Sequence, residues 1–211
     1  MKNMKQYTIV FAGDSVTDAD KLSTSDGLGT GYVRQVYEIL NVFYPWNIYN
    51  VINSGINGHT SRDLLMRWEN DVTKHNPDFV FCMIGINDVW RQLDFRGFPE
   101  DIVSPEEYEK NIGQICKNVC QNKSKLFLMT PFFMESNKAD EMRLLTDVYV
   151  KSLRKVAEKY SVPVIDIQME FDEYLKFRPG QSISWDRVHP GSLGAHKISK
   201  KIIETLSEFI D

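Results

Sequence analysis

Phe79-Val80-Phe81-Cys82-Met83-Ile84 runs directly into Gly85-Ile86-Asn87-Asp88. The first segment is apolar without alternation, the pattern of a strand buried on both faces. Such a strand belongs to a parallel sheet covered by helices on either side. The same unit recurs outward from it. Strand-like runs at 7–12, 48–52, 125–129 and 164–167 alternate with stretches of helical period at 32–43, 60–70, 105–120, 141–160 and 192–209. Strand and helix in alternation predict an α/β fold built on a doubly covered, five-stranded parallel sheet. Within the first helical stretch Val33, Val36, Tyr37 and Leu40 fall on one stripe, the face that packs on the sheet.

At 211 residues, with no internal repeat, low-complexity tract or linker, the chain is expected to be one domain, 1–211. Lys and Arg number 25 against 29 Asp and Glu, a net charge of -4 with neither sign gathered into a block, which argues against nucleic acid or an anionic membrane as partner. No stretch approaches the roughly 20 apolar residues of a spanning helix. The opening Met1-Lys2-Asn3-Met4-Lys5-Gln6 leads into an apolar segment too short for a signal peptide, so a soluble, cytoplasmic protein is expected. Cys82, Cys116 and Cys120 are odd in number and lack metal-type spacing, consistent with reduced thiols and no metal site. Cys116 and Cys120 are four apart and are read as small residues buried on one helix face.

The irregular segments are unevenly distributed. Long polar or glycine-rich loops follow the first strand (16–31), the third (90–104) and the fourth (132–140), whereas the connections entering the strands are short. Extra loop length therefore gathers at the carboxyl ends of the strands, where open α/β sheets bind ligands. Three polar turns lie on that rim: Gly13-Asp14-Ser15, Asn53-Ser54-Gly55-Ile56-Asn57-Gly58, and Gly85-Ile86-Asn87-Asp88. Whether 16–31 is ordered before substrate arrives is left open by the sequence.

Near the far end stands Trp185-Asp186-Arg187-Val188-His189-Pro190. A serine hydroxyl is a weak nucleophile unless a base removes its proton. His189 is a candidate base for Ser15, and Asp186 can hold the imidazole tautomer and stabilise the imidazolium. Backbone N–H groups of Ser15 and Gly58, with the side-chain amide of Asn87, can serve a developing oxyanion. Taken singly, each has an ordinary role: serine as turn former, histidine as surface cap, aspartate as loop organiser. Their combination on one rim points to acyl transfer. Asp14 and Asp88 are read as loop-orienting groups.

In order and approximate spacing, Gly13-Asp14-Ser15, Gly58, Gly85-Ile86-Asn87-Asp88 and Asp186-Arg187-Val188-His189 resemble the four blocks of the SGNH (GDSL-type) hydrolase superfamily. The resemblance implies a three-layer α/β/α, flavodoxin-like fold, with Ser15, Asp186 and His189 catalytic and Ser15, Gly58 and Asn87 forming the oxyanion hole. Gly29-Thr30-Gly31-Tyr32-Val33, Ile84 through Gln92, Met129-Thr130-Pro131-Phe132-Phe133 and the 185–190 segment are similar to those of intracellular bacterial acetylxylan esterases. Two departures stand out. His59 occupies the position after Gly58 where such esterases usually carry Asn, so a second imidazole is expected near the oxyanion site, in a loop-bonding role that can also perturb the pH profile. The chain ends at Glu208-Phe209-Ile210-Asp211, earlier than in such esterases.

Trp90, Arg91 and Trp185 flank the proposed donors and base, and are expected to contact substrate; Arg91 can equally brace a loop. Phe95, Phe98, Phe132 and Phe133 add aromatic surface in the loops. Aromatic faces suit sugar C–H surfaces and can wall off a small acyl pocket. The reading is deacetylation of short xylo-oligosaccharides by a serine esterase that uses no cofactor or metal. Its partner would be a small acetylated saccharide, and the resemblance adds a homo-oligomer. Alternatives are a short-chain lysophospholipase or thioesterase, disfavoured by the lack of a long apolar lid, and a non-catalytic carbohydrate-binding protein. Phosphoryl chemistry at Asp14, Asp18 and Asp20 fails on spacing, and Gly27-Leu28-Gly29-Thr30-Gly31 lacks the Lys-Ser/Thr of a phosphate loop.

Overall fold

A computed structural model describes residues 4–94, 99–120 and 124–210. Strand β1 spans Gln6–Gly13 and is followed at once by the short helix α1, Ser15–Asp18. Helix α2 covers Tyr32–Phe43, strand β2 Ile48–Gly55, helix α3 Ser61–Asp71, strand β3 Phe79–Met83 and helix α4 Ile86–Trp90. Then come α5 at Pro105–Cys120, β4 at Lys125–Met129, α6 at Glu141–Tyr160, β5 at Val164–Ile165, α7 at Ile167–Leu175 and α8 at Ser192–Ile210. All strand pairs are parallel, and the sheet order is β2-β1-β3-β4-β5. The fold is the expected three-layer α/β/α arrangement, with the flavodoxin-like strand order.

Side chains alternate along each strand and so feed two separate cores. Ile9 and Phe11 of β1 join α2, α7 and α8 on one face through Val36, Phe171 and Ile202. Val10 and Ala12 join α3, α5 and α6 on the other through Trp68, Ile112 and Leu153. Phe11, Phe81 and Phe127 stand at one level of β1, β3 and β4. Their rings stack at centroid separations of 5.2 Å and 4.9 Å, which pins the central strands in register. Val33, Val36 and Leu40 are fully buried and Tyr37 packs partly, as the stripe on α2 predicts. Cys82 and Cys116 are buried; the side chain of Cys120 lies outside the described residues.

The differences from the sequence-based expectation are local, and they include helix α7, which the sequence leaves unassigned. The fifth strand is shorter than 164–167, because Asp166 leaves the sheet and caps α7, its carboxylate accepting the Met169 N–H at 3.0 Å. Helices α1 and α4 begin within the turns that follow β1 and β3, where the sequence suggests loop. Phe132 and Phe133, expected in a substrate-facing loop, are buried: Phe132 packs on Phe171 with centroids 4.6 Å apart, and Phe133 lies under the Arg187 guanidinium at 4.8 Å. Phe95 and Phe98 lie outside the described residues.

Register fixes the site. Gly13 of β1 is level with Gly55 of β2 and Met83 of β3, so three chains leave the sheet side by side. The path runs from β1 to β2 on one side and then to β3 on the other. Strand order reverses there, opening the crevice in which such sheets bind ligands.

Candidate active site

The turn after β1 places Ser15 as the first residue of α1, with Asp14 as its cap: the Asp14 carboxylate accepts the Val16 N–H at 3.0 Å. Burial pushes the Asp14 carboxyl up to about 7, with repulsion from Asp88 adding to it. A first-turn N–H has no acceptor inside its own helix, so the Ser15 N–H is available at the sheet rim. The segment 16–31 is tied down from beneath: the Asn53 side-chain amide donates to the carbonyls of Thr17 (2.8 Å), Asp18 (3.2 Å) and Leu28 (3.0 Å). Lys21 Nζ donates to the Gly55 carbonyl. These bonds form a clasp between β2 and the loop.

Gly58 sits in the turn after β2 with φ 76°. Glycine adopts this left-handed conformation without strain, and a Cβ there would lie 3.4 Å from Arg91 Nη2. Gly85, with φ 131°, turns the chain from β3 into α4; a Cβ would meet the Tyr108 ring at 3.0 Å. That tight turn presents Asn87 on α4. One hydrogen of its amide is donated to the His59 carbonyl at 3.0 Å. An asparagine amide carries two donors, and the second remains for the cleft that Asn87 lines. The neighbouring Asp88 carboxylate accepts the Ser61 N–H at 3.0 Å and Ser61 Oγ at 2.5 Å, locking α4 to the start of α3. Burial raises its carboxyl to about 6, against the lowering effect of those bonds. Asp14 and Asp88 thus organise the loops, as expected.

From the far end of the chain, the segment before α8 brings His189 over Ser15. Ser15 Oγ lies 2.7 Å from His189 Nε2, and Asp186 Oδ2 lies 2.5 Å from His189 Nδ1. An ionised carboxylate only accepts, so Nδ1 carries the proton and Nε2 is left to accept from the serine hydroxyl. Asp186 Oδ1 in turn accepts the N–H groups of Val188 (3.0 Å) and His189 (2.8 Å) and the Ser184 hydroxyl (3.1 Å). Burial opposes its ionisation, but the bonds from His189 and Val188 outweigh it and hold the carboxyl below the usual aspartate value. Arg187 adopts φ 67°, which lets the tight Asp186–His189 loop close. Its guanidinium is anchored to Glu135 (2.5 Å), and the Met134 N–H donates to its carbonyl at 2.8 Å.

The Trp185 ring stacks on the imidazole, with centroids 6.0 Å apart and planes 10° from parallel, and the Trp90 ring lies 6.4 Å from it. Trp185 is 82% exposed, so its outer face is open to a ligand. Ser15, Gly58, Asn87, Trp90, Trp185 and His189 line one cleft of about 680 Å3. Arg91 reaches the same cleft, donating to the Gly58 carbonyl at 3.4 Å and pairing with Asp94 at 3.6 Å, a bracing geometry. His59 does not line it: the His59 imidazole turns away to accept from Arg67 Nε at 3.2 Å. Burial, with the Arg67 charge, lowers its pKa and favours the neutral ring. The sequence reading gave no role to Arg67, Ser184 or Asn53. Asn53 opens the polar 53–58 stretch, whereas nothing in the local pattern marks Arg67.

The arrangement can deliver an alkoxide-like oxygen to a carbonyl carbon while N–H groups face the carbonyl oxygen. Asn87→Ala removes one such donor and is expected to lower kcat by roughly 10²–10³, about 3 kcal/mol, with KM little changed. Steady-state kinetics on p-nitrophenyl acetate measures it; a rise in KM alone would assign Asn87 to ground-state binding.

Residues 11–197 match the model of the GDSL-like Lipase/Acylhydrolase family. The chain is 40% identical over 195 residues to the acetylxylan esterase of Geobacillus stearothermophilus, covering 90% of this chain and 89% of that protein. A solved variant of Axe2, an acetyl-xylooligosaccharide esterase from Geobacillus, superposes with a TM-score of 0.90 at 38% identity, over 97% of this chain and 95% of that one. LAE5, an alpha/beta hydrolase from the metagenome of Lake Arreo, gives a TM-score of 0.90 at 37% identity over 95% of both chains. Catalytic mutants solved for Axe2 replace a serine, a histidine and an aspartate by alanine.

Proposed function

The chain belongs to the GDSL-like lipase/acylhydrolase family and is a carboxylic ester hydrolase, and on that premise we propose that it removes O-acetyl groups from short xylo-oligosaccharides through an acetyl-serine intermediate. Ser15 attacks the acetyl carbonyl as His189 Nε2 takes its proton, and Asp186 stabilises the resulting imidazolium. The carbonyl oxygen, now negative, receives hydrogen bonds from the Ser15 and Gly58 N–H groups and the Asn87 amide. Collapse breaks the ester bond, and the proton on His189 passes to the departing sugar oxygen. A water molecule then attacks the acetyl-serine, with His189 acting again as base, and releases acetate.

The observation that carries this reading is the continuous chain from Ser15 Oγ through His189 to Asp186, at 2.7 Å and 2.5 Å, at the surface of an open cleft. Trp90 and Trp185 beside it offer flat apolar faces for a sugar ring, with Arg91 at the edge. The xylo-oligosaccharide assignment draws on the Geobacillus relative and on these aromatic walls. The same proposal has 1–211 acting as one domain, in the cytoplasm, as a homo-oligomer, on imported oligomers rather than polymeric xylan. Among the described residues no helix is long and apolar enough to cross a membrane.

An acyl-chain series of p-nitrophenyl esters, run beside acetylated xylo-oligosaccharides, tests the substrate. Acetate is expected to be the best acyl group by kcat/KM, with clear loss by butyrate. Preference for butyrate or longer would replace acetyl with the lysophospholipase or thioesterase reading.

A further inference from the structure

Arg67 projects from α3 with a side chain only 11% exposed, and no step proposed above uses it. Its Nη2 donates to the Gly13 carbonyl at 2.8 Å, and Nη1 to the Ser54 carbonyl at 2.8 Å and to Asp71 Oδ2 at 2.8 Å. Nε donates to His59 Nδ1 at 3.2 Å. Asp71 offsets the charge of this buried cation. The remaining bonds go to three separate segments of chain, all at the catalytic rim: the end of β1 two residues before Ser15, the end of β2, and the residue after Gly58.

Further bonds knit the same points together. The Gly13 carbonyl also accepts the Ile56 N–H at 3.2 Å, and the His59 carbonyl accepts the Asn87 amide at 3.0 Å. Ser15, Gly58 and Asn87 are therefore each one or two covalent steps, or one hydrogen bond, from a group that Arg67 holds or touches. Oxyanion donors act only when aimed at the position the charged oxygen will take, and misplacement of about 1 Å can cost on the order of 10²-fold. We infer that Arg67 is a positioning residue for the ester hydrolysis proposed above, a reading on which this inference rests: its fork holds the Gly58–His59 turn and Asn87 in register with Ser15.

Two chemical requirements follow. The planar fork spreads donors in fixed directions, which the single ammonium of lysine cannot reproduce. His59 must offer an unprotonated Nδ1, so the ring has to stay neutral. Burial favours the neutral ring, as do the positive charges of Arg67 and Lys21, against the opposing carboxylates of Asp63 and Asp71.

The test is steady-state kinetics on p-nitrophenyl acetate for the wild type, Arg67→Lys, His59→Phe, His59→Asn, the Arg67→Lys/His59→Phe double variant and Ser15→Ala, with thermal melts of each. Arg67→Lys is expected to lower kcat by about 10- to 100-fold with KM within about threefold. His59→Phe removes the acceptor and is expected to lower kcat about tenfold, whereas His59→Asn, whose amide oxygen can stand where Nδ1 does, retains most turnover. The double variant should lose little beyond Arg67→Lys alone, because both act through one contact. Wild-type turnover in a folded Arg67→Lys, or fully additive losses, would overturn the inference. Should Arg67→Lys fail to fold, His59→Phe decides: normal turnover overturns it and a loss rescued by Asn supports it. Ser15→Ala keeps the two readings apart, since its survival of activity would remove the serine mechanism itself. An inactive Ser15→Ala beside an unaffected Arg67→Lys removes only the role given to Arg67.

Discussion

Ser15→Ala is expected to reduce kcat by roughly 10⁶ while leaving the fold intact, and His189→Ala to do nearly the same. The two losses should not add, because hydroxyl and imidazole serve one event, the transfer of a single proton across the 2.7 Å contact. Structural damage is expected to be small for physical reasons. The cap of α1 is made by Asp14, and the Ser15 hydroxyl makes one bond, to the histidine it is proposed to use. Residual rate above the uncatalysed reaction would come from the Gly58 and Asn87 donors and from binding alone. Turnover of p-nitrophenyl acetate with a circular-dichroism melt measures both arms. A near-normal His189→Ala beside an inactive His59→Ala would move the base to the other imidazole, although the His59 ring faces Arg67 rather than the cleft.

Asp186→Asn is expected to cost less, on the order of 10⁴ in kcat. An asparagine there can donate where the carboxylate accepts. The imidazole then presents Nδ1 as acceptor and carries its proton on Nε2, where the Ser15 hydroxyl can no longer donate. The loop itself should persist, because an amide oxygen can still accept from the N–H groups of Val188 and His189. The sign of the pH effect follows from the lowered carboxyl. Its ionised form is favoured in the folded state, so its contribution to stability is full above the ordinary aspartate value and is lost as pH falls through the lower, folded one. Asp186→Asn should therefore flatten the acid side of the stability profile. A loss of turnover equal to that of Ser15→Ala would make the carboxylate as necessary as the nucleophile.

Much of this architecture is legible in the chain because burial leaves a strong pattern. The unalternating 79–84 run contains β3 (Phe79–Met83), buried on both faces, and the stripe of Val33, Val36 and Leu40 is the inner face of α2. The stretches of helical period match the five long helices within a residue or so; the start of α3 is fixed in the structure by Thr60 and Asp63, which form a reciprocal capping box. Short elements escape because they hold too few residues for a period to register: α1 and α4 are single turns. Helix α7 was readable in principle, since Asp166 is a cap and Ile167, Phe171 and Leu175 recur at helical spacing. The apolar run at 164–167 masks its start.

The candidate site was legible where polar turns close apolar runs, at Ser15, Gly58 and Asn87, and where Asp186 and His189 stand close together in sequence. That Trp185 stacks on the imidazole could be suspected from adjacency, but not its near-parallel plane. The support beneath the site was not legible. Asn53 clasps three carbonyls between Thr17 and Leu28, and Arg67 joins three segments up to 54 residues away. Such contacts depend on where separate turns meet in space, and no local period encodes them. The buried positions of Phe132 and Phe133 were likewise decided by tertiary packing on Phe171 and under Arg187.

The central claim is that acetyl passes through the hydroxyl of Ser15. Rapid acid quench during turnover of an acetyl ester, followed by intact-mass and peptide mass spectrometry, reads this directly. An acetyl group on the peptide containing Ser15, absent in Ser15→Ala and formed as fast as turnover requires, is the expected result. Full turnover with that peptide unmodified, or acetyl carried by another side chain at a competent rate, would contradict the account.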